Sequence, residues 1–386
     1  MKQSPETITL KNGLKGCIMQ NLENLELLND GFDHVEFVVN DIRPMGKVFE
    51  RLGFETIATR ESEGAESVAY AQGRVRIILT QPDSEAPSNV QSKSKTLDFL
   101  RKHAEGVCVL ALEVKDATRA FEETVKNGAR PAKEPSRWEC PEGTIVRSEI
   151  WTPGDIRYAF IERKSSPDQT QPAPLDQNLV AFRLQSPSPL GIQKIDHLTN
   201  NVGMGQMREW VDWYKQVFGF GSTRHFDIRT QRTGLLSEVV ESPCRRIKVP
   251  VNEPTEPESQ IQEFVNRMKG PGVQHLALLS SDLIQSLQLM KKRNFTFLTV
   301  PHTYYEAVPT RVPGVTENLS ELEEMGILLD GDQDGYLIQI FSEEILGPFF
   351  FEYIQRKGNQ GFGEGNFKAL FESIERDQIR RGVLKE

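Results

Sequence analysis

Ile195-Asp196-His197-Leu198-Thr199 decides the fold, because Phe32-Asp33-His34-Val35-Glu36 repeats it in the first half of the chain. Both runs read as strands with a histidine at the centre. A helix with one apolar face follows each. In the first half Met45, Val48, Phe49 and Leu52 recur at i, i+3, i+4 and i+7, and Gly53 stops the helix before Phe54. In the second half Met207, Trp210, Val211, Tyr214 and Phe218 form the matching stripe, closed by Gly219-Phe220. Farther on, Gly272-Val273-Gln274-His275-Leu276-Ala277-Leu278 answers the strand that runs from Gly106 to Leu112. Another helical stripe follows each of these strands. One carries Ala120, Phe121, Thr124 and Val125 and ends at Asn127-Gly128, and the other carries Leu283, Leu287 and Met290.

The spacing supports a true repeat. Asp33 lies 20 residues before Gly53, and Asp196 lies 23 before Gly219. His34 lies 75 before Val109, and His197 lies 78 before His275. One three-residue insertion in the first strand–helix unit accounts for both differences. With further strands expected at Ser67–Ala71 and Val75–Thr80, each half contains strand–helix–strands twice. The predicted fold is therefore α+β, made of tandem βαβββ modules. They form two open, barrel-like halves with helices outside, each sheet curling around a central cavity. Residues 164–190 are rich in Pro, Gln and Ser and read as the connection between halves. The expected division is an N-terminal, non-catalytic domain over 1–165, a linker over 166–190 and a catalytic domain over 191–386.

The chain has 386 residues and a net charge of -9, which argues against nucleic acid or an anionic membrane as partner. No apolar run approaches the roughly 20 residues needed to span a bilayer. Met1-Lys2-Gln3-Ser4-Pro5-Glu6 shows no apolar segment of a secretory signal. Cys17, Cys108, Cys140 and Cys244 are scattered and form no CxxC pair. Reduced thiols and a cytoplasmic location are expected.

Pro348-Phe349-Phe350-Phe351-Glu352-Tyr353-Ile354-Gln355-Arg356 reads as a strand. Alternation puts Phe350, Glu352 and Ile354 on one face and Phe349, Phe351 and Tyr353 on the other. Burying an ionised carboxylate without a partner is very costly. Glu352 therefore lies at a solvated edge, pairs with an arginine, or binds a metal. His197 and His275 choose among these. All three residues lie on strands of the repeated module, 78 and 77 residues apart, and a curled sheet brings such positions together. Two histidines and one carboxylate make the facial triad that leaves open positions on a ferrous ion. The first half has His34 opposite His197 but Val109 opposite His275. One active site and one relic are expected, with His34 structural. His103, His225 and His302 are expected in loops or at helix starts, in solvent.

Longer motifs surround these ligands. They include Pro250-Val251-Asn252-Glu253-Pro254, Ser259-Gln260-Ile261-Gln262, the run from Pro301 to Tyr305, Leu337-Ile338-Gln339-Ile340-Phe341, and Gln360-Gly361-Phe362-Gly363-Glu364-Gly365-Asn366-Phe367. Together with Asp196-His197 and Gln274-His275 they resemble the 4-hydroxyphenylpyruvate dioxygenase family of the vicinal oxygen chelate, or glyoxalase-like, fold. The resemblance is strong from about residue 190 onward and weak over 1–165. It implies one Fe(II) per chain and the conversion of 4-hydroxyphenylpyruvate and O2 to homogentisate and CO2. It also implies a homo-oligomer, dimer or tetramer, and substrate contacts from Ser237, Asn252, Gln260, Gln274, Gln339, Phe341, Phe350, Phe362, Asn366 and Phe367. No catalytic residue beyond the metal ligands is implied. Gly361-Phe362-Gly363-Glu364-Gly365 has the wrong glycine spacing for a dinucleotide loop. It reads as a hinge for a final helix capped by Asn366, with Phe367, Leu370, Phe371 and Ile374 on one face. The alternatives are a 4-hydroxymandelate synthase on the same fold, an extradiol-type dioxygenase, and a non-enzymatic metal-dependent binding protein.

Overall fold

The computed structural model describes residues 25–367 except 63, 92–93, 141–142, 166–174, 177–178, 180–186, 230–232 and 313, together with 379 and 382. Among these, sixteen strands form two eight-stranded sheets. The first sheet contains β1 (Leu27–Val38), β2 (Glu55–Ser62), β3 (Ala65–Gln72), β4 (Val75–Pro82), β5 (Gly106–Val114), β6 (Arg130–Cys140), β7 (Gly143–Trp151) and β8 (Arg157–Ser165). The second contains β9 (Ile192–Asn201), β10 (Gly221–Arg229), β11 (Gly234–Glu241), β12 (Lys248–Pro254), β13 (Gly272–Ser280), β14 (Leu328–Asp332), β15 (Gly335–Phe341) and β16 (Phe350–Lys357).

The strand order is β2-β3-β4-β1-β5-β8-β7-β6 in one sheet and β10-β11-β12-β9-β13-β16-β15-β14 in the other. Adding eight to each label converts the first order into the second. The module is thus βαβββ, used twice per sheet, and the two sheets are curled half-barrels. Within each module the first and last strands pair in parallel, and the two modules of a sheet join antiparallel.

The first helix of each half is set by its caps and stripe. Asp41 caps Ile42–Arg51 by accepting from the Arg43 N–H. Met207–Phe218 ends at Gly219, which adopts φ +67°. Both helices pack across the junction between halves. Phe49 meets Phe351 of β16 at 6.1 Å, and Phe218 meets Tyr158 of β8 at 5.1 Å. Phe349 likewise meets Phe37 of β1 at 4.9 Å. The outer face of β16 is therefore core against the first half, and its inner face is left for the cavity.

Outer strands are polar for a physical reason. β10 alternates exposed and half-buried positions along its length, and β6 carries Lys133, Glu134 and Pro135 with two register shifts against β7. Charges, proline and bulges at a sheet edge discourage further strand pairing. Leu175 and Leu179, inside the expected linker, are fully buried against Ile57, Ala69 and Ile78 of the first sheet. Leu370, Phe371 and Ile374 lie outside the described residues.

Three expectations need correction. His103 is buried, its Nε2 lying 2.9 Å from Asp155 and its Nδ1 3.2 Å from the Lys269 carbonyl. His225 is on β10 rather than in a loop, though exposed. Asn366 does not cap the last helix, which has already begun at Glu364. Its side-chain oxygen instead accepts from Tyr304 at 2.5 Å and Arg311 at 3.3 Å.

Candidate metal centre

His197 on β9, His275 on β13 and Glu352 on β16 meet at the middle of the second sheet. Pairing explains the convergence. Ala277 is the register partner of both His197 and Glu352, and His275 lies two residues before it on the same strand face. Glu352 Oε2 lies 3.3 Å from His197 Nε2 and 3.5 Å from His275 Nε2. Potential donor atoms of all three lie within 4.8 Å of one another, and all three residues are buried.

Each histidine is held from behind. His197 Nδ1 lies 2.9 Å from Asp196, and His275 Nδ1 lies 3.3 Å from the Gln274 amide oxygen. An Nδ1–H donated in this way leaves the Nε2 lone pair directed inward, as metal-binding histidines require. Without a metal the Nε2 atoms carry protons instead: burial opposes ionisation of Glu352, but the His197 charge and hydrogen bonds from both imidazoles outweigh it and bring its pKa to about 2, and a cation would take the place of those protons. Its Oε1 is buried without a hydrogen-bond partner among the described residues. A carboxylate oxygen rarely stays orphaned in a protein interior. A metal cation would satisfy it, so the donor set fits a divalent ion.

The cavity over these donors is bounded by Asn252, Gln260, Gln274, Phe341, Phe350, Phe362 and Phe367 from the expected set. Ser237, Gln339 and Asn366 are buried but stand outside this wall. Phe350 stacks on His275 at 4.9 Å, and Phe362 meets His197 edge-on at 5.2 Å. Thr199, Ile228, Leu235, Pro250 and Ile261 also line the space. Alternation would have found Thr199 and Pro250, which stand two residues from His197 and Asn252. Ile228 and Leu235 are register partners on β10 and β11, strands without a chemical landmark in sequence.

The free volume is about 50 Å³, far below the roughly 300–1,000 Å³ of small-molecule sites. Admission of an aromatic substrate therefore requires part of the wall to move. The mobile candidates are Phe362 and Phe367, on the glycine-rich loop and the helix after it. Gly363 has φ +76°, and a Cβ there would lie 2.2 Å from the Gln339 amide. Any other residue would be strained at this φ and would displace the Gln339 amide.

Arg356 ties that loop to the metal ligands. Its Nε and Nη2 donate to Asp196 at 2.8 and 2.5 Å, while Nη1 donates to the carbonyls of Asn359 at 3.2 Å and Gly361 at 2.6 Å. Asp196 in turn holds His197. Arg356→Met should therefore weaken metal binding about 10–100-fold, the usual cost of losing such support. It should also speed proteolysis at residues 359–367. Chelator competition measures the first effect, and metal affinity equal to wild type would refute the link.

The first half shows what replaced the site. The same register puts Ala159 where Glu352 stands and Val109 where His275 stands. Glu36, Arg147, Glu149 and Arg157 occupy the positions of Thr199, Gln339, Phe341 and Phe350. Arg147 pairs with Glu36 at 2.8 Å and Glu149 at 2.9 Å, and Arg157 pairs with Glu149 at 2.6 Å. Asp176 adds a contact to Arg147 at 3.1 Å, and His34 lies between Asp33 and Glu36. Paired charges fill the space that the second half leaves for a ligand.

Doubled βαβββ half-barrels with two histidines and a glutamate facing one cavity define a metal-dependent enzyme of the vicinal oxygen chelate class. Residues 194–340 accordingly match the model of the Glyoxalase/Bleomycin resistance protein/Dioxygenase superfamily, and residues 24–146 match that of the N-terminal region of hydroxyphenylpyruvate dioxygenase. The chain is 39% identical over 360 residues to Hemolysin VllY of Vibrio vulnificus, spanning 92% of this chain and 96% of that one. It is 37% identical over 363 residues to 4-hydroxyphenylpyruvate dioxygenase of Legionella pneumophila, spanning 92% and 97%. A solved structure of a mutant 4-hydroxymandelate synthase from Streptomyces coelicolor superposes with a TM-score of 0.77 at 26% identity, covering 90% and 98% of the two chains. The chain belongs to the 4-hydroxyphenylpyruvate dioxygenase family.

Proposed function

We propose that this chain converts 4-hydroxyphenylpyruvate and O2 to homogentisate and CO2, with one ferrous ion held by His197, His275 and Glu352. The observation that carries the assignment is the buried Glu352 carboxylate, one oxygen facing two imidazoles and the other unpartnered. Ferrous iron supplies reactivity toward O2 that amino-acid side chains lack, and a facial triad leaves positions open for a 2-oxo acid and O2.

The chain's own residues bind, orient and exclude water. Asn252, Gln260 and Gln274 offer neutral amides to a phenol and a carboxylate without adding charge beside the metal. Among the described residues Gln260 Oε1 at the cavity wall, and Ser237 Oγ, both Gln339 amide atoms and Asn366 Nδ2 outside it, are buried without partners, which leaves polar capacity for a ligand or ordered water. Phe341, Phe350, Phe362 and Phe367 form an apolar enclosure for an aromatic ring. The resemblance also supports a cytoplasmic homo-oligomer, dimer or tetramer, and the division at 1–165, 166–190 and 191–386 as functional units. Among the described residues no helix is long and apolar enough to cross a membrane.

Two rivals are weaker on particular residues. An extradiol enzyme needs a histidine or tyrosine acid–base beside its substrate. Among the described residues the cavity wall has no tyrosine and no histidine beyond the two ligands, and the His225 and His302 side chains are 66% and 69% exposed. A 4-hydroxymandelate synthase would oxidise the benzylic carbon rather than the ring. Phe341, packed edge-on against Phe350 at 6.1 Å, gives the ring a flat wall. Aromatic stacking there contributes about 0.5–1.5 kcal/mol, up to roughly a tenfold bias between poses.

Phe341→Ile should therefore release some 4-hydroxymandelate while substrate consumption continues. Chromatography of the products reads the ratio. Homogentisate alone at an undiminished rate would remove Phe341 from the control of ring position. Oxygen uptake by the wild-type chain tests the function itself. One O2 consumed and one CO2 released per 4-hydroxyphenylpyruvate is expected, and no substrate-dependent uptake would leave only a metal-dependent binding protein.

A further inference from the structure

At the end of the second half-barrel behind Phe362 lies a second cavity, of about 520 Å³. Its walls carry Lys194, Arg245, Arg246, Lys248 and Arg356, against a single carboxylate, Asp196. This is a concentrated positive field on a chain whose net charge is -9. Asp196 is committed to Arg356 and His197. Lys194 shares Asp30 at 3.1 Å with Arg74, and Arg246 donates to the Leu27 carbonyl. Arg245, Arg246 and Lys248 have no carboxylate within ion-pair distance among the described residues.

Lys248 is the decisive residue. It is only 8% exposed, and it lines the cavity. Among the described residues its ammonium meets no hydrogen-bond acceptor; the Phe362 ring lies 5.7 Å away, and Asp196 and the cross-strand Glu241 act on it only from beyond ion-pair distance. Alternation along β12 explains its direction. Lys248, Pro250 and Asn252 share one strand face, so the strand that lines the metal cavity sends a lysine into the cavity behind it. A buried ammonium is costly without a counter-charge. Several cations converging on a water-accessible recess are how proteins hold oxyanions.

We propose that this rear cavity binds a small dianion of the phosphate, sulfate or dicarboxylate class, through Lys248 and Arg245 with Arg356 at its inner wall. The site is separated from the metal cavity by the Phe362 ring and the Asp196–Arg356 pair, and it is independent of the metal assignment. A dianion there supplies the direct counter-charge that Asp196 and Glu241, both beyond ion-pair distance, do not.

The test is calorimetric titration of sodium sulfate into the metal-loaded full chain, against sodium chloride at matched ionic strength. Sulfate keeps its charge near neutral pH and does not precipitate ferrous iron. One saturable site with submillimolar affinity is expected. Lys248→Gln and Arg245→Gln should each weaken it at least about tenfold, and the full chain carrying Glu352→Ala should bind sulfate as wild type does. That last arm separates this cavity from sulfate captured by the metal. Arg245 is exposed, and its substitution leaves the fold undisturbed, so the test survives if Lys248→Gln misfolds. No saturable sulfate binding, binding unchanged by both substitutions, or binding lost with Glu352→Ala would overturn the proposal.

Discussion

Glu352→Ala is expected to lose at least about 100-fold in metal affinity, roughly 3 kcal/mol, and to reduce turnover to background. The substitution removes the only carboxylate of the donor set and leaves two imidazoles. The metal-free fold should change little, because Phe350 and Ile354 keep the inner face of β16 apolar and His197 no longer needs its charge. Metal content per chain and the thermal midpoint of the metal-free protein separate the two effects. Near-stoichiometric metal in a folded variant would remove Glu352 from the site. A collapsed midpoint would instead make the residue structural.

The second large effect belongs to the other half. Glu149→Gln should destabilise the protein by about 3–5 kcal/mol at neutral pH while leaving the metal content of the folded fraction unchanged. Glu149 lies buried between Arg147 and Arg157, so the neutral amide leaves two guanidinium groups short of counter-charge. Its pH dependence has a definite sign. Burial raises the Glu149 pKa, but the two arginines outweigh this and hold it at about 2, against 4.5 for a free side chain. The group therefore stabilises the native state fully above about pH 4.5 and loses that contribution as pH falls toward 2, on the order of 3 kcal/mol. Asp33 and Glu36, also held well below the usual carboxylate range, add in the same direction. Denaturant melts of wild type and variant should differ most near neutrality and converge between pH 4.5 and 2. A constant gap across that range would show that Glu149 acts through packing rather than charge.

The repeat was legible in sequence because strands and helices that build a core must carry periodic apolar residues. The three donors were legible because histidine and glutamate are conspicuous on such strands. The first-half network was not. Glu36, Arg147, Glu149, Arg157 and Asp176 are far apart in sequence, and a charged residue on a strand reads as surface. Only the register shows that Glu36, Glu149 and Arg157 replace cavity residues of the second half, and that Arg147 replaces Gln339 just outside its wall. His103 misled for the same reason, since nothing local announces Asp155 or the Lys269 carbonyl. The glycines after β16 announced an irregular loop, and Gly363 does adopt φ +76°. That Arg356 anchors it depends on a guanidinium long enough to reach two carbonyls and Asp196 at once. Asn366 shows the opposite limit: a residue type favoured at a helix start was recruited by Tyr304 and Arg311 inside the first turn.

Crystals of the iron-loaded full chain, measured across the iron absorption edge, would locate the metal and its ligands. One anomalous peak per chain is expected, bonded to the Nε2 atoms of His197 and His275 and to the Glu352 carboxylate, with none near His34. A peak in the first half, two peaks per chain, or a single peak away from Glu352 would contradict it.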